Sequence, residues 1–337
     1  MANRRAQGGF TLVEILITLT LVTVLSVVAL NALTPWLTFK QALDTDSKLQ
    51  DMRQGLTAMY TANAVSIENV VSAAIAIPGA TLTNDTATTG SACTAQVNAV
   101  AAMSSYLTES GVVADNDGYA SPFCFLITPR LTKAVEGVQI YYHVLAVVST
   151  GRNGVLDSGT TLNAATGQLT LAGDDKGVVI NGYNIEYAKY RDTLDRLNRI
   201  GTLYENYFTT RFTNTSDRDT TRDYFYNGSG TNGDANGSVA ATTGWTPALT
   251  VLSTSLGVSP LDATTTFDNQ SYASNNVELG NTTEAVTLSG SSTSVRSPAN
   301  LATGATPPYT ALLRARLAGG TPGAGDNFVV RVVVGSY

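Results

Sequence analysis

Histidine is almost missing from this 337-residue chain: His143 is the single one. That excludes a metal centre built on several imidazoles and argues against a Ser-His-Asp or Cys-His nucleophile. No P-loop, dinucleotide-binding glycine loop, zinc-ligand spacing or nucleophile elbow occurs, and no enzymatic activity is expected. Charge is scarce too, at 14% of residues, with 20 basic against 26 acidic side chains, a net charge of -6 and a pI near 4.8. Without a basic surplus the chain is a poor ligand for phosphate backbones, so no nucleic-acid partner is expected. The second half is instead rich in Thr, Ser, Asn and Gly, a surface made soluble by hydroxyls and amides, as exported surface proteins often are. The chain has two cysteines, Cys93 and Cys124. In an exported chain an even count points to one disulfide, closing a loop of about thirty residues and worth roughly 3–4 kcal/mol; the alternative is two buried thiols.

What the chain does have is one long apolar run at its start. Met1–Gly9 is short and carries Arg4 and Arg5, and no charged residue occurs from Ile15 to Phe39. An ordinary signal peptide places its apolar core before the cleavage site; here the apolar stretch follows Gly8-Gly9, so cleavage after Gly9 would leave it on the mature protein. The two arginines hold the leader in the cytoplasm and direct the rest outward. Ile15–Leu33 is long enough to cross a bilayer as a helix. Pro35 then removes a backbone donor and should kink the helix without necessarily ending it. Beyond it, Leu49, Met52, Leu56, Met59 and Tyr60 fall at helical spacing among Asp44, Asp46, Lys48, Asp51 and Arg53. The spacing predicts one helix from about Phe10 to the mid-60s, on the order of 80–90 Å long.

The junction Gly9-Phe10-Thr11-Leu12-Val13-Glu14, behind a basic leader and before an apolar helix, resembles the class III signal of type IV pilins and of the related pseudopilins of type II secretion. The resemblance covers roughly residues 1–60. It implies a membrane prepilin peptidase that cuts after Gly9 and methylates the new amino terminus at Phe10. It also implies that Glu14 pairs with the terminal amine of a neighbouring subunit during assembly, on an inner-membrane platform. Many true pilins carry a proline about twenty-one residues after the phenylalanine; here Asn31 stands there and Pro35 follows, so pilin and pseudopilin both stay open. A carboxylate at the bilayer edge of an apolar helix costs a few kcal/mol unless paired, which a neighbour's amine would offset. The plainer alternative is that Glu14 snorkels to the interface of an anchored monomer.

The head is expected to start near Pro78. Ala95–Glu109 reads as a short helix, and Asp115, Asp117 and Gly118 as an acidic turn, the alternative being a calcium ligand set. Val138–Ser149 reads as one strong strand with His143 as an ordinary strand residue. Two glycine-punctuated loops flank Asp157 and Asp174-Asp175. They loosely resemble the loop of major pseudopilins that holds a structural calcium ion, the one cofactor suggested. Asp157, Asp174 and Asp175 with backbone carbonyls could supply its oxygens, the alternative being two solvated turns. A strand over Val178–Ile185 precedes a helix over Glu186–Phe212, whose core face is Tyr187, Tyr190, Leu194, Leu197, Tyr204 and Tyr207, with Arg191/Asp195, Asp192/Arg196 and Asp195/Arg199 pairs opposite. Short strands follow at Leu249–Leu256, Val277–Leu279, Ala285–Leu288, Thr310–Leu317 and Phe328–Val334.

The fold class read from this pattern is α+β: a long N-terminal helix, transmembrane then amphipathic, packed on an antiparallel β-sheet head, with an extra helix and a second β-rich subdomain. The expected division is leader 1–9, pilin helix 10–77 with its transmembrane part at about 15–33, α+β head 78–212, and Thr/Asn-rich β subdomain 213–337. The function expected is a structural subunit of an extracellular type IV pilus-like filament, homo- or hetero-oligomeric. Such a subunit waits in the inner membrane as a single-pass precursor with its N-terminus cytoplasmic. The alternatives are a minor tip pilin or adhesin that binds a surface or glycan, and a subunit of the periplasmic pseudopilus of type II secretion. A large polar head suits an exposed fibre better than a confined periplasmic piston.

Overall fold

The computed structural model describes residues 11–77, 79–85, 90–106, 116–221, 224, 245–247, 278–280, 285–287, 294–296, 310–319 and 327–337. Helix α1 (Leu12–Glu68) spans 57 residues, which at 1.5 Å per residue is about 85 Å. Every large apolar side chain from Leu12 to Leu43 is at least half exposed. At about 2 kcal/mol for each such side chain left in water, this stretch would forfeit tens of kcal/mol, so it demands lipid or other protein around it. It is long and apolar enough to cross a membrane. Its hydroxyls fit that setting: Thr18, Thr20, Thr23, Ser26, Thr34 and Thr38 each donate to a carbonyl three or four residues back. No side-chain donor among these needs water.

From Thr45 onward the same helix becomes one wall of the head. Leu49, Met52, Leu56, Met59 and Tyr60 are all buried, as their spacing predicts. Pro35 lies inside the helix, and the residue with non-helical φ/ψ is Asn63 instead. Its Nδ2 donates to the Met59 carbonyl at 2.9 Å and to the Tyr106 hydroxyl at 2.8 Å, so its side chain competes for the carbonyl that the helical ladder uses. The kink expected at Pro35 therefore gives way to a distortion that a side chain imposes much further along, where the helix is already part of the head.

After α1 come the hairpin β1 (Ala74–Ile77) and β2 (Ala80–Thr83), then the short helix α2 (Val97–Ser104). Strands β3 (Cys124–Ile127), β4 (Leu131–Val135), β5 (Val138–Tyr142), β6 (Val144–Ser149), β7 (Thr161–Leu162), β8 (Leu169–Thr170) and β9 (Lys176–Asn181) lead into α3 (Gly182–Asn214). The remaining strands are β10 (Trp245–Pro247), β11 (Glu278–Gly280), β12 (Ala285–Thr287), β13 (Ser294–Arg296), β14 (Thr310–Arg316) and β15 (Phe328–Val334). The predicted segment Leu249–Leu256 lies outside the described residues.

Three antiparallel strands in the order β3-β6-β9 form the sheet against α1. Strand β6 is buried along its whole length because both of its faces are covered. Leu145 and Val147 face α1, β1 and α2, while Ala146 and Val148 face Cys93, Cys124 and Leu156. A second core forms where α3 lies on β5, β14 and β15. Tyr190, Leu197, Ile200, Tyr204 and Phe208 pack there against Leu313, Ala315, Val329 and Val333. Tyr187, Leu194 and Tyr207 flank it, which is the expected face of the helix.

The stretch read as one strand, Val138–Ser149, is two. Strand β5 belongs to a hairpin with β4, β6 belongs to the three-stranded sheet, and His143 stands between them. The chain passes there from one hydrophobic core to the other: Val138 and Ile140 lie in the α3 core, and Leu145 and Val147 in the α1 core.

Candidate functional site

At the start of α1, Thr11 has an extended backbone and caps the helix. Its hydroxyl accepts from the Glu14 N–H at 3.3 Å, and Glu14 Oε2 accepts from the Thr11 N–H at 3.0 Å and from its hydroxyl at 3.1 Å. This reciprocal arrangement satisfies two of the N–H groups that a helix start leaves without partners. Glu14 thus has a local role that the sequence reading did not assign, alongside the pairing expected of it. Gly9 and Phe10, the expected processing residues, lie outside the described residues.

Where α1 meets the head, the Lys48 ammonium donates to the Asp117 carbonyl at 3.2 Å, and the Thr45 hydroxyl accepts from the Gly118 N–H at 3.0 Å. Asp117, expected in an acidic turn, is buried and organises that turn. Its carboxylate accepts from the N–H groups of Tyr119 and Ser121 and from the Ser149 hydroxyl. Asp115 lies outside the described residues. Cys93 and Cys124 form a disulfide, with Cα atoms 5.2 Å apart. It pins the chain that leads into α2 across the outer face of β3 and β6.

The two glycine-punctuated loops converge. Asp157, Asp174 and Asp175 each bring a carboxylate oxygen to within 4.8 Å of the others. Two glycines in the left-handed region make room for them. Gly173, at φ +58°, backs onto the Asp157 carboxylate; at Gly151, φ +64°, an added Cβ would lie 2.6 Å from the Asp174 carboxylate. Backbone amides hold the carboxylates in place: the Arg152 N–H donates to Asp174, the Asp174 N–H to Asp157, and the Asp157 N–H to Asp175 Oδ2. Asp175 is buried, and its Oδ1 has no hydrogen-bond partner. Burial raises its pKa first; the Thr160 hydroxyl and the Asp157 amide oppose that, and the charges of Asp157 and Asp174 add to it. Beside the cluster, Lys176 reaches away to Asp46 of α1 at 2.8 Å.

A third group of side chains went unread in the sequence. His143, taken there as an ordinary strand residue, is fully buried. Its Nδ1 lies 3.1 Å from Glu68 Oε2 and its Nε2 3.3 Å from the Ser72 carbonyl. The ring is thus held between two acceptors, with the Glu68 carboxyl as its buried side-chain partner. Glu68 Oε1 accepts from the Tyr60 hydroxyl and from the His143 N–H. Burial, followed by the charges of Glu68 and Glu186, holds the Tyr60 hydroxyl well above its ordinary pKa. The signal in the sequence was a single histidine inside an apolar run; its partner is 75 positions away, beyond the reach of any local pattern.

Residues 4–30 match the prokaryotic N-terminal methylation motif, the class III signal of type IV pilins and pseudopilins. The match covers the basic leader and the exposed first part of α1 and ends before the head begins. No curated protein and no solved structure matches the chain. The motif supports a type IV pilin-like or pseudopilin role in general.

Proposed function

We propose that this chain is the structural subunit of an extracellular type IV pilus-like filament. In this reading it is cut by prepilin peptidase after Gly9, methylated at Phe10 and drawn from the inner membrane by helix packing. The observation that carries the reading is the continuity of the methylation motif over residues 4–30 with a helix whose apolar half is exposed throughout. In a filament the apolar halves of many copies exchange lipid for one another. Glu14 exchanges part of its helix cap for a neighbour's terminal amine, since the Thr11 bonds fall on Oε2 and a carboxylate has room for more donors. The test is to express the full chain with and without prepilin peptidase and compare intact masses. Loss of Met1–Gly9 together with gain of a methyl group supports the reading, and an unchanged mass in the presence of active peptidase refutes it.

One observation favours the second reading, a pseudopilus subunit: the convergence of Asp157, Asp174 and Asp175 in the loop that resembles a calcium loop. The residues fit calcium, a hard cation that takes carboxylate and carbonyl oxygens, because Asp175 Oδ1 is buried without a partner and three like charges face one another. Calcium would neutralise them and brace the loops, supplying no chemistry beyond that. If so, calcium raises the melting temperature of the wild-type chain over that in chelator, and Asp175→Asn abolishes the difference. Equal melting temperatures for the wild type in calcium and in chelator would sink the calcium site.

A further inference from the structure

Glu186, in the first turns of α3, is buried at 3% exposure, and its Oε1 has no hydrogen-bond partner. Asn327, just before β15, is buried at 1%, and its Oδ1 also has no partner. The two side chains line the same small cavity, between Ile140, Tyr190 and Leu317. The Asn327 amide cannot turn round to relieve this. Its Nδ2 donates to the Gln139 carbonyl at 2.8 Å and the Ala318 carbonyl at 3.0 Å, two groups that only accept, so a flip would leave both without a donor and its oxygen stays the atom without a partner. Two acceptors without donors therefore meet in one buried place, and a single proton resolves both. An un-ionised Glu186 carries an O–H, which serves the Asn327 oxygen directly or through one bridging water.

We propose that Glu186 carries a proton at neutral pH and that this proton is a latch, joining α3 to the β14–β15 hairpin through Asn327 and releasing that hairpin when it leaves. The groups facing Glu186 explain why an ionised form is resisted. From α1 come Glu68, which partners His143 Nδ1, and Tyr60, whose hydroxyl donates to Glu68. From β5 comes Tyr141, stacked under the Arg130 guanidinium, and that guanidinium spends its own hydrogen bonds on the Glu68 and Gly319 carbonyls. From α3 come Tyr190, whose hydroxyl donates to Glu136, and Lys189, whose charge favours ionisation and whose ammonium donates to the Thr61 carbonyl. Burial is the largest cause holding the Glu186 carboxyl well above the usual range, Glu68 adds to it, and Lys189 opposes it.

The sign of the effect follows. Because the folded-state value lies above the unfolded one, the proton's contribution is complete below the ordinary glutamate range. It is lost as pH rises from there through the folded-state value. Across that window the folding equilibrium constant falls by up to about tenfold per pH unit.

The test uses the full chain in detergent micelles. For the wild type and Glu186→Gln, thermal stability is measured between about pH 5 and pH 8. Infrared spectroscopy reports the carbonyl stretch of an un-ionised carboxylic acid, and amide exchange follows β14 and β15. The amide introduced by Glu186→Gln donates as the protonated acid does, so the variant should lose the Glu186 infrared band and have a shallower pH slope, Asp175 keeping its own share, and be the more stable form at the alkaline end. Amide exchange in β15 should rise with pH in the wild type only. An unchanged slope in Glu186→Gln, or no such band in the wild type at neutral pH, would overturn the latch. If Glu186→Gln does not fold, Asn327→Ala decides. Removing the acceptor should move the loss of the band to lower pH, and an unmoved midpoint overturns the proposal.

Discussion

Replacing His143 by leucine would test how the two cores of the head are joined. Leucine fills much the same volume, so the change is chiefly electrical: Glu68 keeps the Tyr60 hydroxyl and the residue 143 N–H on Oε1, and loses the donor on Oε2. Both side chains of the pair are fully buried. Removing one partner of such a buried pair costs about 3–5 kcal/mol, because the carboxyl is left short of a partner in a medium that cannot solvate it. The Ser72 carbonyl, 3.3 Å from Nε2, loses its donor as well, adding about 1 kcal/mol. At about 2–4 °C per kcal/mol for a head of this size, His143→Leu should melt roughly 8–24 °C below the wild type. The assay is urea and thermal unfolding of the full chain in micelles, followed by circular dichroism. A double variant, Glu68→Gln with His143→Leu, should recover at least ~1–2 kcal/mol of the loss, since the unpartnered carboxyl is gone. A single variant costing less than about 1 kcal/mol, or strictly additive costs in the double one, would refute the buried pair as the joint.

Three further outcomes follow from the same structure. Gly173→Ala should destabilise the head by at least about 1–2 kcal/mol from the left-handed backbone alone, and the new methyl group would displace the Asp157 carboxylate; a neutral result in urea unfolding would contradict that loop geometry. Cys93→Ser with Cys124→Ser should cost roughly 3–4 kcal/mol in the same assay, and an unchanged midpoint would show that the loop needs no tether. Glu14→Ala should leave cleavage after Gly9 intact and lower the amount of chain recovered in filaments, and normal recovery would count against Glu14 as an assembly contact.

How much of this was legible in the sequence depended on how far apart the interacting residues lie. The buried stripe Leu49, Met52, Leu56, Met59 and Tyr60 was readable because a helix writes its period into adjacent turns, and Phe328–Val334 because an apolar β-branched run is itself the strand. The break at His143 was hidden, since every neighbour favours a strand and the residue that draws the histidine inward is Glu68, in another element. Pro35 was the visible candidate for a helix distortion, yet it is Asn63 that leaves helical dihedrals, through a side chain that bonds the helix's own carbonyl. Asp157 and Asp174-Asp175 could be named from composition. That they meet depends on how the loops around β7 and β8 fold back, which no local spacing encodes.

The claim that this chain is a processed filament subunit is tested most directly by mass spectrometry of sheared surface filaments. The account predicts a peptide that begins with N-methylated Phe10 in the filament fraction. Filaments that lack that peptide, while the chain stays in the membrane with Met1–Gly9 intact, would contradict it.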